Sequence, residues 1–413
     1  MRKENDTSQR RAGMSETESI ADLSQSSIPG PHWTSTRYSK NILMDALVKH
    51  TLGLTLYGMS DIGEVLEVAS RLTAGDEERW INAWSAMAQR LQYRAEKAER
   101  TDKQVTASTA YLRASTYWRV SLMYFSQPND SRIKEYARAS STCYERYLAL
   151  SGYPGQYVEI PYETSFLPGH FYRSPVAGDK APLLIITPGR DTWAEDTRWV
   201  YDGAIRRGIH CLVYDGPGQG YALRLNNLRF RHDWENVVRP AVDFALTIPG
   251  IDPSRIGLMG LSFGGFLAPR AAAFEKRIKV CIADPGNLSW GNSIINALQT
   301  VSNLQPHELP PEMNNLVRDY AWKHGVSDSV KEVIKALQAY DNTSIVDKIE
   351  CETLVMDGTE EIAKGQAQKF FEALKCPKHY MLFDETTTAQ LHCQMGSYAT
   401  ATEYLFDWLD ERL

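Results

Sequence analysis

The distribution of apolar and polar residues divides the N-terminal part of the chain into two regions. Residues 1–38 are polar and rich in serine, whereas over residues 39–150 apolar side chains recur at helical spacing, as between Trp80 and Met87. Asp76, which follows Thr73-Ala74-Gly75, is a residue type that caps helices. The pattern predicts a disordered tail followed by a domain of amphipathic helices.

From residue 151 onward, short apolar runs alternate with helical patterns. The runs cover residues 183–187, 211–214, 256–259, 280–283, 354–356 and 380–383. Such runs are typical of parallel strands buried on both faces and separated by helices. Ahead of them, the alternation of Val158, Ile160 and Tyr162, a turn at Leu167-Pro168-Gly169 and the run 170–172 predict a β-hairpin. We therefore expect an α/β fold with a mostly parallel sheet.

One segment interrupts this alternation of strand and helix patterns. Residues 287–350 are helical in pattern and punctuated by prolines, and they separate the strand candidates of 151–286 from those of 351–413. An insertion after about the sixth strand would cover the ends of the strands. The sequence thus predicts a catalytic domain made of 151–286 and 351–413, with a helical cap over it.

Composition and charge narrow the class of protein. The chain has 413 residues, a net charge of −6 and 43% apolar residues, which suits a large domain with an accessory one. Without a basic stripe, nucleic acid and anionic membranes are not expected as partners. No run of eighteen apolar residues and no secretory signal are found, and the six cysteines are scattered, so we expect reduced cysteines and a cytoplasmic protein.

The segment Gly260-Leu261-Ser262-Phe263-Gly264 carries the first candidate for chemistry. A serine hydroxyl is a weak nucleophile and must be exposed, held and placed beside a base. A sharp turn from strand to helix does this, and small residues two positions to either side let the backbone pass. Here an apolar run, 256–259, precedes the turn and a helical pattern rich in small residues follows it. We interpret Ser262 as a nucleophile.

The partners of such a serine follow in the chain order serine, acid, histidine. Of the nine histidines, only His392 lies between the last predicted strand and the last predicted helix, so it is the candidate base. The acid is expected just after the strand 354–356, where Asp357, Glu360 and Glu361 are available. The position at the tip of the loop favours Glu361, with Asp357 or Glu360 as the alternative.

An oxyanion hole requires two N–H donors directed at the developing negative charge. The residue after the nucleophile, Phe263, is expected to supply one of them. The loop Pro188-Gly189-Arg190-Asp191 would supply the other, and since proline has no N–H, Arg190 or Asp191 is the expected donor. The glycine-rich Asp215-Gly216-Pro217-Gly218-Gln219-Gly220 matches no phosphate-binding motif, and no metal motif is present, so we expect no cofactor and no metal.

Together, several motifs resemble one branch of the α/β-hydrolases. The motifs are the 215–220 loop, Gly260-Leu261-Ser262-Phe263-Gly264-Gly265, Ile282-Ala283-Asp284-Pro285-Gly286, Lys364-Gly365-Gln366 and His392-Cys393-Gln394. The branch contains the fungal polyketide-shortening hydrolases of pigment pathways and the bacterial 2,6-dihydroxypseudooxynicotine hydrolase. The resemblance implies an N-terminal helical domain, a homodimer, Ser262 as nucleophile, His392 as base, and cofactor-free retro-Claisen cleavage of a carbon–carbon bond next to a ketone.

The chain also departs from the family pattern. The acid of the family is usually an aspartate in a loop one residue longer, whereas this loop offers Glu361 or Glu360, and Pro188 replaces a small residue. Three functions therefore stay open. The first is a secondary-metabolism hydrolase acting on a polyketide-like or aryl ketone, and the others are a carboxylesterase and a non-hydrolytic cyclase or condensation catalyst.

Overall fold

The computed structural model describes residues 30–72 and 76–413 of the chain. Most of the expected disordered tail and the segment Thr73-Ala74-Gly75 lie outside these residues. Asp76 caps a helix as predicted, because its carboxylate accepts the backbone N–H of Arg79 at 2.9 Å.

In the described part of residues 39–150 the chain forms five α-helices, in which α4 packs against both α3 and α5. They are α1 (Ile42–Gly53), α2 (Ile62–Ala69), α3 (Glu77–Arg100), α4 (Gln104–Ser121) and α5 (Ser131–Ser151). Trp80, Trp84 and Tyr117 are fully buried between α3 and α4. These large apolar rings at helical spacing account for the packing of the two helices.

Residues 30–38 correct the expected extent of the tail. Trp33–Ser35 forms a 3₁₀ turn, and Thr34 is buried. The Trp33 indole donates to the carbonyl oxygen of Thr388 at 2.9 Å, and the Thr34 hydroxyl donates to Glu360 at 3.0 Å. The ordered chain therefore begins before residue 39, because these two side chains find partners in the C-terminal part of the protein.

The catalytic part is built on one sheet of eight strands in the order β1-β2-β4-β3-β5-β6-β7-β8. The strands are β1 (Gly155–Tyr162), β2 (Ser165–Tyr172), β3 (Ala181–Thr187), β4 (His210–Tyr214), β5 (Ile251–Leu261), β6 (Val280–Asp284), β7 (Glu352–Gly358) and β8 (Lys378–Phe383). The strands β3 to β8 are parallel, and β2 is antiparallel to β1 and β4. All six predicted strands are present, which confirms the mostly parallel sheet.

The predicted hairpin is formed by β1 and β2, but the prediction of its turn at Leu167-Pro168-Gly169 was wrong. The strands connect at residues 163–164, where Glu163 has a φ of 49°, and Pro168-Gly169 lies inside β2. A Cβ on Gly169 would come within 2.4 Å of the Val213 carbonyl oxygen in β4. The glycine that suggested a turn instead permits a close approach between neighbouring strands.

Helices cover both faces of the sheet. They are α6 (Arg198–Ile205), α7 (Gly220–Arg224), α8 (Glu235–Ala245), α9 (Gly264–Ala272), α13 (Gln366–Ala373) and α14 (Tyr398–Leu409). Between β6 and β7 the chain forms α10 (Asn292–Gln299), α11 (Pro311–His324) and α12 (Val330–Gln338), which share a small apolar core. The Trp290 and Tyr340 rings contact the Phe263 ring, so this insertion lies beside the turn that carries Ser262.

Within the described residues, no helix combines the length and the apolar content needed to cross a membrane. All six cysteines are free thiols, and four of them, Cys143, Cys211, Cys281 and Cys393, are buried. Burial raises the pKa of the Cys143 thiol to about 12, which keeps it protonated at neutral pH.

A buried ion pair joins the N-terminal helices to the catalytic domain. Arg119 of α4 donates to Asp196, which precedes α6, at 2.8 Å, and both side chains are almost completely buried. Burial opposes the charge of Arg119, but the neighbouring Asp196 carboxylate outweighs it and raises the pKa of the guanidinium. Beside this pair, the Tyr144 hydroxyl lies 2.7 Å from that of Tyr172 and 2.8 Å from that of Tyr201.

Removing one member of this pair should destabilise the protein strongly. We predict that Arg119→Met, which leaves the Asp196 carboxylate buried without its partner, lowers the free energy of unfolding by about 3–5 kcal/mol. Urea titration followed by circular dichroism measures this change. The control is Arg71→Met, which removes an exposed ion pair with Glu67 and should cost about 0.5 kcal/mol or less. Equal midpoints for Arg119→Met and the wild type would contradict the prediction.

Candidate active site

Ser262 lies in a sharp turn between β5 and α9. Its φ is 56°, a left-handed conformation that is uncommon for residues other than glycine, and its N–H donates to the Asp284 carbonyl oxygen at 2.6 Å. A Cβ on Gly260 would lie 1.9 Å from the Gly264 carbonyl oxygen, and one on Gly264 would lie 2.3 Å from that of Thr187. The glycines two positions to either side are therefore required by the packing of the backbone.

His392 connects Ser262 to a carboxylate. It lies in the 3₁₀ turn His392–Gln394 between β8 and α14, and its Nε2 is 2.8 Å from Ser262 Oγ. Its Nδ1 is 2.7 Å and 2.9 Å from the two carboxylate oxygens of Glu361. The structure thus brings Ser262, His392 and Glu361 together in one hydrogen-bonded chain.

The two alternative acids have other partners. The Asp357 carboxylate, at the end of β7, accepts the Tyr380 hydroxyl at 2.6 Å and the Gly358 N–H at 2.8 Å. Glu360 accepts the hydroxyl of Thr34. Neither carboxylate has a hydrogen bond to His392, so of the three candidate acids Glu361 is the one that contacts the imidazole.

The contact between Glu361 and His392 lowers the pKa of the carboxyl group and raises that of the imidazole, so it favours the charged form of each. Burial alone would raise the pKa of Glu361, but the adjacent His392 outweighs it and lowers that pKa. Burial opposes protonation of His392, yet its neighbours Cys393 and Glu361 outweigh burial and raise its pKa above the ordinary value. Because burial raises the pKa of the Cys393 thiol to about 12, Glu361 is the partner that carries charge at neutral pH.

Asp284 is a second acidic residue at this site, and the sequence analysis gave it no role. Its carboxyl is fully buried and accepts the Gln394 side-chain amide at 3.1 Å, while its carbonyl oxygen accepts the Cys393 thiol at 3.2 Å. Burial raises the pKa of Asp284 to about 7. Through these contacts Asp284 ties the turn of Ser262 to that of His392. Its position directly after the apolar run 280–283 was the available signal.

The loop after β3 packs against the turn of Ser262. A Cβ on Gly189 would lie 2.9 Å from the Cβ of Ser262, and the Gly189 N–H donates to Thr192 at 3.0 Å. Gln219 donates its side-chain amide to the carbonyl oxygens of Pro188 and Gly189, at 2.6 Å and 3.1 Å. The glycine-rich 215–220 loop therefore supports the loop that contains Arg190 and Asp191.

The three candidates for the two oxyanion donors lie on the two loops that meet at Ser262. Within residues 30–72 and 76–413, the backbone N–H groups of Phe263, Arg190 and Asp191 have no hydrogen bond to another residue. The same part of the chain contains no cluster of three or more side chains suited to hold a metal ion. The arrangement places a serine hydroxyl that is hydrogen-bonded to an imidazole beside loops with unpaired N–H groups, and acyl transfer uses groups of these kinds.

Comparisons with known proteins agree with this fold. A model of the alpha/beta hydrolase family matches residues 166–355. The chain is 30% identical to the 20-hydroxy-prefusarin hydrolase FUS2 of Gibberella moniliformis, over 87% of this chain and 94% of that protein. It is 31% identical to the hydrolase acrC of Aspergillus aculeatus, over 86% and 93% of the two chains.

Among solved structures, that of the 2,6-dihydroxy-pseudo-oxynicotine hydrolase has the same fold. It aligns with a TM-score of 0.71 at 18% identity and covers 87% of this chain and 95% of its own. The structure AbyA5 aligns with a TM-score of 0.61 at 17% identity, over 87% and 94% of the two chains. With FUS2 and acrC similar along nearly their whole length, the chain belongs to the alpha/beta hydrolase family and is an enzyme of its fungal secondary-metabolism hydrolase branch.

Proposed function

We propose that this hydrolase uses Ser262 as its nucleophile to cleave a carbon–carbon bond next to a ketone in a polyketide-like or aryl ketone substrate. The observation that carries the proposal is the hydrogen-bonded chain from Ser262 through His392 to Glu361. The resemblance of its motifs to the polyketide-shortening hydrolases supports the choice of bond. The similarity to FUS2, which is named for its action on 20-hydroxy-prefusarin, supports a role in secondary metabolism.

The geometry suggests the order of events. His392 Nε2 accepts the proton of Ser262 Oγ, which attacks the ketone carbon, and the N–H groups of Phe263 and Arg190 or Asp191 hold the resulting oxyanion. When the carbon–carbon bond breaks, its electron pair leaves with the departing fragment as an enolate or phenolate. The protonated His392 then protonates that fragment. Water hydrolyses the acyl group from Ser262 in the second half of the cycle, with His392 again as the base.

The role of Glu361 is to hold the imidazole in the tautomer that presents Nε2 as an acceptor and to stabilise the imidazolium. Glutamate is an accepted acid in this kind of triad. Because the chain of three residues is complete, it favours hydrolysis over the alternative in which altered loops disable the triad. A carboxylesterase would use the same three residues, and the two hydrolytic functions differ in the leaving group.

We also propose that the protein is a cytoplasmic homodimer.

The first test is removal of the nucleophile. We predict that Ser262→Ala lowers turnover of a β-diketone or aryl ketone substrate by at least about 10⁴-fold, because no acyl-enzyme forms. Intact-protein mass spectrometry of quenched reactions should show an acyl adduct in the wild type and none in the variant. If Ser262→Ala retains full turnover, or yields a product with the mass of the substrate, the proposal is wrong. Rapid turnover of simple 4-nitrophenyl esters alone would favour the carboxylesterase.

The second test is the pH dependence. His392 acts as a base only when unprotonated, so kcat/KM should fall as the pH drops through the His392 pKa, which lies above 6.5 in the wild type. Glu361→Gln removes the charge that stabilises the imidazolium, and we predict that the acid limb moves to lower pH while kcat falls by about 10³–10⁴-fold.

The matched control is Glu360→Gln, the neighbouring carboxylate that binds Thr34 rather than His392. Its pH profile should coincide with that of the wild type. If the acid limb of the pH profile moves in Glu360→Gln and stays in place in Glu361→Gln, our assignment of Glu361 as the acid is wrong.

A further inference from the structure

The side chains of Arg190 and Asp191, in the loop after β3, contact helix α11 of the insertion. Arg190 donates to Asp319 at 2.5 Å and to Asp191 at 3.2 Å. Its guanidinium also lies over the Tyr320 ring, 3.8 Å from the centroid. An arginine held by a carboxylate on one side and an aromatic face on the other has little freedom to change its orientation.

Lys323 completes the cluster from the same helix. Its ammonium group is 2.9 Å from Asp319, one helical turn earlier, and it forms an ion pair with Asp191 of the loop. The Lys323 side chain is 3% exposed, so this charge depends on its two carboxylate partners rather than on water. The backbone is fixed as well, because the Lys323 carbonyl oxygen accepts the Phe230 N–H at 2.8 Å.

The cluster contains two positive and two negative side chains, which are Arg190, Lys323, Asp191 and Asp319. Burial by itself would raise the pKa of both carboxyls, but Lys323 and Arg190 lower that of Asp191, and Arg190 and Lys323 lower that of Asp319. Both acids are therefore ionised at neutral pH. Alternating charges in a partly desolvated place interact more strongly than a surface pair would, and removal of one member leaves the others uncompensated.

The cluster of Arg190, Asp191, Asp319 and Lys323 includes the peptide that would supply the second oxyanion donor. Arg190 and Asp191 are the two candidates for the second oxyanion donor, and Gly189 next to them packs on Ser262. Gln219 holds the preceding carbonyl groups from the side of the catalytic domain. The contacts of Asp319 and Lys323 restrain these same two residues, whose N–H groups have no hydrogen-bond partner in the part of the chain that the structure describes.

We propose that Asp319 and Lys323 of α11 are positioning residues, which hold the Arg190–Asp191 peptide in place and so make the insertion a part of the catalytic machinery. This inference rests on the proposed function, because it requires an oxyanion on Ser262. It implies that a displacement of the insertion and a loss of oxyanion stabilisation occur together. The signal in the sequence is an Asp and a Lys four residues apart on a predicted helix, which alone indicates only a helical ion pair.

The test measures the reaction of the full-length protein with a fluorophosphonate probe. Ser262 Oγ attacks its phosphorus, the P–F bond breaks with loss of fluoride, His392 takes the hydroxyl proton, and the P=O oxygen of the phosphonate ester is directed to the oxyanion donors. Asp319→Asn and Lys323→Met each remove one charge at nearly constant volume. We predict a fall of about 10- to 100-fold in the maximal labelling rate, with little change in the probe concentration that gives half of it. Asp319→Glu, which keeps the charge, should restore part of the rate.

The matched control is Asp328→Asn, which removes the exposed ion pair between Arg318 of the same helix and Asp328. It should label at the wild-type rate. Thermal unfolding followed by circular dichroism shows whether a slowly labelled variant is folded. If Asp319→Asn does not fold, Lys323→Met provides an independent test.

The outcomes separate the two proposals. Labelling of folded Asp319→Asn and Lys323→Met at the wild-type rate, together with no labelling of Ser262→Ala, would overturn the positioning role and leave the nucleophile in place. Equal labelling of Ser262→Ala and the wild type would overturn the proposed function itself.

Discussion

The hydrogen bond between Ser262 Oγ and His392 Nε2 joins residues that are 130 positions apart in the sequence, and the fold supplies the means to make it. Parallel strands present their carboxyl ends at one edge of a sheet, so the turns after β5, β7 and β8 lie next to one another there. Ser262, Glu361 and His392 occupy those three turns. The glycines around Ser262 let the nucleophile turn pack directly on the loop after β3, where no side chain would fit.

Around this bond, the protein holds each loop from more than one side. Asp284, at the end of β6, binds the backbone of Ser262 and the residues that follow His392. Thr34 contacts Glu360 next to the acid, and Gln219 contacts the loop of Arg190. Hydrogen bonds of this kind hold donors in place before the reaction begins, so that no energy is spent on reorganisation when charge develops.

Much of the fold and the central site could be predicted from the sequence, because each rests on a local signal. The apolar runs gave all six parallel strands, and the order of residues along the chain led to Ser262, His392 and Glu361. The turn of the hairpin was misplaced because a proline and a glycine signal a turn, whereas Gly169 is required by the neighbouring β4. Contacts made by Trp33, Asp284 and Lys323 depend on partners distant in the sequence, which no local pattern reveals.

The most direct test of the Ser262–His392–Glu361 chain is proton NMR of the far-downfield region, where an imidazolium Nδ1–H bound to a carboxylate resonates. The account predicts such a signal in the wild type at a pH below the His392 pKa. It also predicts loss of the signal in Glu361→Gln and retention in Asp357→Asn and Glu360→Gln. A signal that persists in Glu361→Gln and disappears in Asp357→Asn would contradict the assignment of the acid.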